Sequence, residues 1–141
     1  MTENQGVWPA LPYDAWKDTY ATLHMWSQIV GKITLACAPP LNHSWGIAFR
    51  VNARGLSTPL LSHAGRSFTI HFDFITHRLV IEGCDGDTRA LPLHSQTVAD
   101  FYESVMASLR AMSLPVKMKL RGFRCSVSLS QSVWGSEPIS A

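Results

Sequence analysis

Apolar residues recur at steps of three and four from Trp16 through Tyr20, Leu23, Trp26, Val30 and Ile33 to Cys37. One face of a helix repeats at that interval, so the spacing predicts a long amphipathic helix. Pro9 and Pro12 mark an extended lead-in before it. Asp14 and Asp18 lie near its start, where the helix dipole favours negative charge. Pro39 and Pro40 must end it, because proline cannot continue a helix and restricts the residue before it. Gly31 is a mild weakness inside it.

Beyond the prolines the period drops to two. Ile47, Phe49, Val51 and Ala53 alternate with Ala48, Arg50, Asn52 and Arg54, which predicts a half-buried strand ending at Gly55. Residues 57–66 read as a loop, with room for a short strand at Pro59–Ser62. Phe68, Ile70, Phe72 and Phe74 then alternate with Ser67, Thr69, His71 and Asp73. A tight connection at Thr76-His77 leads into a strand over Arg78–Glu82, and Asp85-Gly86 is a strong hairpin signal before Thr88–Leu91. Pairing Phe74 with Leu79, and Cys84 with Asp87, puts the apolar side chains on one face. It also predicts a row His71–Glu82–Arg89 on the other, since a one-residue slip would bury the charges.

Thr97, with Asp100 three residues on, predicts the N-cap of a second helix. Its buried stripe is Val98, Phe101, Val105, Leu109 and Met112, and Pro115 should end it. Residues 116–120 suit one more strand. The expected fold is α+β: a long N-terminal amphipathic helix and a second C-terminal helix packed on one face of an antiparallel β meander. Residues 1–120 form this single domain. Residues 121–141 are a Ser-rich tail, read either as a strand over residues 125–129 or as a disordered end.

Composition narrows the class. The chain has 141 residues, 46% hydrophobic and 16% charged, which suits one globular domain and excludes a disordered one. No apolar run approaches the roughly 20 residues of a membrane helix, and no signal-peptide pattern is visible near the start. The net charge of +2 comes from the C-terminal stretch containing Lys117, Lys119, Arg121 and Arg124. That is too short to argue for nucleic acid. Cys37, Cys84 and Cys125 are odd in number and lack C-x-x-C spacing, so neither a disulfide framework nor a cysteine zinc site is expected. Reduced thiols place the protein in the cytoplasm.

Several stretches resemble a known family. They are W-P-A-L-P-Y-D-A-W-K-D-T-Y-A-T-L-H-M-W-S-Q-I-V-G-K (Trp8 to Lys32), P-P-L-N-H-S-W (Pro39 to Trp45) and A-R-G-L-S-T (Ala53 to Thr58), with F-D-F-I-T-H-R-L-V-I (Phe72 to Ile81) and S-Q-T-V-A-D-F-Y (Ser95 to Tyr102). From Trp8 to about Met118 the chain resembles the N-terminal half of a bacterial family defined only as a domain of unknown function. The resemblance implies a cytosolic protein and no particular activity. It departs from the family at Ser44, where a second aromatic is usual, and at Gly46, where a histidine is frequent. The second half expected of the family is missing, so the tail reads as out-of-frame sequence or a lineage-specific replacement. On that view the chain is a truncated, non-functional piece.

Candidate chemistry is sparse. Tyr20, His24 and Gln28 stand four residues apart beside the tryptophan stripe, setting polar atoms at an apolar edge as ligand pockets do. Asn42, His43 and Trp45 follow two stiffening prolines, and rigid loops on a scaffold carry function. Arg54, with Arg50, could hold a carboxylate or phosphate on the polar sheet face. These residues also have ordinary roles at a helix edge, in a turn and on a solvated face. None of the six histidines shows H-x-x-x-H or H-E-x-x-H spacing, so no metal ligands are assigned and the cofactor is unknown. The main expectation is a module binding a small molecule, an anion at Arg54. Neither nucleic acid nor a membrane is a partner, and exposed apolar surface allows a homo-oligomer. The alternative is a hydrolytic or metal-dependent enzyme using His24 and His43 with Asp73 as helper.

Overall fold

The computed structural model describes residues 8–39 and 42–118. Helix α1 runs Tyr13–Cys37, as the three-four spacing predicts, and no side chain caps its start at Pro12. Its buried residues begin only at Thr22 and continue through Met25, Trp26, Ile29, Val30, Ile33 and Thr34 to Cys37. Trp16 is half-buried and Tyr20 is 48% exposed, so the first turns overhang the core. A 3-10 helix, Asn42–Ile47, follows.

Six antiparallel strands come next: β1 (Arg50–Asn52), β2 (Gly55–Ser57), β3 (Leu61–His63), β4 (Arg66–Asp73), β5 (Arg78–Gly83) and β6 (Thr88–Pro92). The order is β1-β2-β4-β5-β6, with β3 also pairing β4. The long strand expected from Ile47 to Arg54 is instead a three-residue edge strand, and Val51 is 84% exposed. Gly55 does not end it but opens β2. Asn52 Oδ1 accepts the Arg54 and Gly55 N–H groups at 2.8 and 3.0 Å, folding the chain back on itself.

Both hairpin registers differ from expectation. Phe72, not Phe74, pairs with Leu79, because residues 74–77 form a four-residue turn. Asp73 Oδ1 accepts the Ile75 and Thr76 N–H groups, and His77 takes a left-handed backbone with φ 52°. That shift is two residues, so the faces are preserved. The second shift is one residue: Ile81, not Glu82, lies opposite Arg89. Gly86 N–H reaches the Gly83 carbonyl at 3.1 Å, Gly83 N–H reaches that of Asp87 at 2.8 Å, and Gly86 has φ 87°. This is a three-residue turn with a bulge, one residue longer than the two-residue turn Asp-Gly suggests. The expected row therefore breaks. His71 Nε2 and Glu82 meet at 3.2 Å, whereas Arg89 lies on the other face and pairs with Asp87 at 3.7 Å.

Helix α2 spans Val98–Ala111, and its N-cap is Thr97, whose hydroxyl accepts the Asp100 N–H. It ends four residues before Pro115. Ser113 adopts φ 58°, the Leu114 N–H bonds the Leu109 carbonyl, and the Ser113 N–H bonds that of Arg110. That pattern is a Schellman motif, closed by the buried Leu109 and Leu114. Residues 116–118 form no strand, and 119–120 lie outside the described residues, as does the tail. Both helices cover one sheet face. Phe68, Ile70, Phe72, Leu79 and Ile81 pack with Ile29, Ile33, Phe101, Val105 and Leu109 in one core, and Trp26 stacks on Phe101 at 4.9 Å.

Candidate functional site

The overhang of α1 forms one wall of a cleft of ≈ 350 Å³. Its apolar surface comes from Trp16, Tyr20, Leu23, Trp26, Phe74 and Leu93. Thr19, His77, His94 and Ser95 add polar groups. Trp16 and Tyr20 meet edge to face, with ring centres 5.3 Å apart. The β4–β5 turn forms the second wall and the β6–α2 connection the third. These two are tied by the Leu93 N–H donating to the His77 carbonyl at 2.8 Å. Among the described residues the indole N–H groups of Trp16 and Trp26 are buried and have no acceptor. The His94 Nδ1 lies 3.3 Å from the Pro92 carbonyl, to which it can only donate.

The polar sheet face holds a second hollow of ≈ 410 Å³, lined by Asn52, Arg54, His71, Asp73, Val80 and Glu82. Arg54 donates from Nε and Nη2 to Asp73 Oδ2, at 2.9 and 2.6 Å. Partial burial works to raise the Asp73 pKa. The Arg54 guanidinium and the groups of Thr76 and Ile75 that bond it outweigh this and hold it at about 2. His71 Nε2 also lies 2.9 Å from the Thr69 hydroxyl.

The residues expected to form a site are spread over three places. Tyr20, His24 and Gln28 form a ladder on α1: Tyr20 stacks on His24, and His24 and Gln28 share a 2.7 Å hydrogen bond. Only Tyr20 lines the cleft. Asn42, His43 and Trp45 lie on the exposed 3-10 helix, with Trp45 77% exposed. Among the described residues no hydrogen bond, ion pair or ring contact joins them to the α1 ladder. Arg54 belongs to the polar hollow, with its guanidinium already committed to a carboxylate. His24, His43 and Asp73 share no contact, and the described residues hold no group of three or more metal-ligating side chains.

The cleft residues that sequence patterning missed are Phe74, His77, Leu93, His94 and Ser95. Trp16, Leu23 and Trp26 were visible only as a helix stripe. Burial pushes the Cys37 thiol pKa up, which makes it a poor nucleophile.

Fold and cleft together define a class: a two-helix, single-sheet α+β protein with an aromatic cleft where its long helix overhangs the sheet. No helix among the described residues is long and apolar enough to cross a membrane. Sequence comparison then supplies the family. The model of a family of unknown function (DUF5996) matches residues 8–129, and the chain belongs to that family. Neither the curated proteins nor the solved structures contain a match to it.

Proposed function

We propose that this protein is a binding module for a small, largely apolar molecule held in the cleft under the α1 overhang. One observation carries the reading: a ≈ 350 Å³ cavity walled by Trp16, Tyr20, Trp26 and Phe74, with few polar groups. Ligand sites have this size and this balance of surfaces. The volume suits one aromatic ring with a short chain. At about 0.5 kcal/mol per non-hydrogen atom, a ligand of roughly ten such atoms binds with a Kd of about 0.2 mM. The free Cys37 and Cys84 agree with a cytoplasmic location.

The test uses 3-phenylpropanol, titrated against the full chain while tryptophan fluorescence is recorded, since Trp16 and Trp26 line the cleft. Thr19 is an exposed lining residue, so Thr19→Trp fills the cleft without touching the core. Saturable binding that weakens at least tenfold in Thr19→Trp supports the reading. Binding that is unchanged in that variant, or absent from the parent chain, refutes it.

A second reading is self-association. Leu11, Tyr13 and Ile75 are exposed apolar side chains on segments near the cleft walls. Light scattering that reports a monomer at high concentration refutes it.

A further inference from the structure

We infer that the cleft selects a monocarboxylate, an apolar body bearing one anionic acceptor group. This rests on the cleft being a ligand site. Among the described residues no aspartate, glutamate, lysine or arginine lines it, so the groups able to carry charge are the imidazoles of His77 and His94. Neither can offset an incoming cation, and both can meet an anion.

Their geometry is set by the fold. The His77 ring makes no hydrogen bond within the described residues, and its backbone is held left-handed on the turn. The Nδ1–H of His94 is directed to the Pro92 carbonyl, which leaves Nε2 as the ring nitrogen for a ligand. With both ring nitrogens protonated, Nε2 donates to a carboxylate while Nδ1 keeps the Pro92 carbonyl. Trp16 and Trp26 contribute ring surface to the walls, while their indole nitrogens are closed off from solvent.

An aromatic-walled cleft also suits a quaternary ammonium through its ring faces. Here the cation would give up its water beside two imidazoles, with no carboxylate to replace it. Two imidazoles with no carboxylate beside them therefore favour the anion. The polar hollow is the poorer anion site, despite Arg54. That guanidinium already holds Asp73, and Glu82 adds a second negative group to the same surface.

The experiment compares three probes of one shape by calorimetry on the full chain at pH 6.5: 3-phenylpropionate, 3-phenylpropanol and (3-phenylpropyl)trimethylammonium. The carboxylate should bind at least fivefold tighter than the alcohol, and the ammonium at least tenfold weaker than the carboxylate. His77→Asn, which keeps a residue tolerant of the left-handed backbone, and His94→Gln should each weaken the carboxylate by threefold or more. Both should weaken the alcohol less than they weaken the carboxylate, with thermal stability unchanged. Equal affinity for carboxylate and alcohol, or a preference for the ammonium, overturns the inference and leaves the cleft standing. Histidine variants that weaken both probes alike also overturn it. If none of the three binds, the cleft reading itself falls.

Discussion

Gly55 is where the sheet tolerates no side chain. It opens β2 opposite Asp73 with φ 150°. A Cβ there would overlap the Phe72 carbonyl oxygen and press on Phe74 Cδ2 at 2.9 Å. The carbonyl belongs to a central strand and cannot rotate away as a side chain can, so in Gly55→Ala strand β2 must back off from β4. Holding alanine in that backbone region costs about 1–3 kcal/mol. Loosening the three-residue β2–β4 ladder adds about 1 kcal/mol for each hydrogen bond lost. The total is about 3–5 kcal/mol, a large part of a typical domain's stability. Gly65→Ala is the control: its φ is 75°, and a Cβ there meets nothing within 4 Å. It should cost only the left-handed penalty of about 1–2 kcal/mol. Urea titration of both variants measures the difference. Phe74 is also a cleft wall, so Gly55→Ala should weaken 3-phenylpropanol binding more than Gly65→Ala does. Stabilities within about 1 kcal/mol of each other would refute the close approach of β2 to the Phe72 carbonyl.

Three further outcomes follow from the same geometry. The folded-state pKa of Asp73 lies below its ordinary value, at about 2, so the stability it contributes is complete above the ordinary value of 3.8 and is lost as pH falls through about 2. Asp73→Asn should remove that portion of the acid dependence, read as the urea midpoint against pH, and an unchanged profile would show the carboxylate is not held. Thr97→Ala deletes the α2 N-cap and should cost about 0.5–2 kcal/mol in urea unfolding, with Thr97→Ser restoring most of it. Ser113→Gly should stabilise the protein by about 1 kcal/mol, because glycine takes the left-handed position of the Schellman motif without strain; a loss of stability there would contradict the observed φ of 58°.

The two helices and the main strands were legible because each buries one periodic face. The stripe from Trp26 to Cys37 and the alternation from Phe68 to Phe72 repeat at intervals that only a helix or a strand satisfies. Registers were less legible, because they depend on turn chemistry rather than on periodicity. Asp85-Gly86 signals a hairpin, but the pair also fits a bulged turn one residue longer, and that residue moves Arg89 to the other face. Pro115 is the visible stop after α2, because serine is not the usual left-handed cap, whereas Ser113 fills that position here. Strand β2 is not visible because its three half-buried residues show no alternation, so the pattern ends the preceding strand at Gly55 and opens a loop at Ser57. Of the candidate site, the aromatic side of α1 was visible. Phe74, His77, Leu93 and His94 were not, because they join it from two connections distant in the chain.

The position of the cleft follows from a mismatch of lengths. Strand β4 has 8 residues and so spans about 27 Å, while α1 has 25 and spans about 37 Å. The buried part of α1, from Thr22 to Cys37, covers about 24 Å, close to the length of the strand beneath it. The turns before Thr22 therefore have no sheet to lie on, yet they continue the apolar stripe with Trp16 and Tyr20. A helix that ended where the sheet ends would need neither ring. The chain instead extends the stripe and sets Phe74, His77 and Leu93 opposite it, on connections joined by the Leu93–His77 hydrogen bond. Part of the apolar surface is thus held open rather than packed shut, at a point where a polar helix end would have been more stable in water. The polar face shows the opposite arrangement, with Arg54 closed on Asp73 and His71 against Glu82, so its charged groups are already matched. Among the described residues the His77 ring, at the cleft, makes no hydrogen bond, and this asymmetry between the two hollows is why we place the proposed site at the overhang of α1.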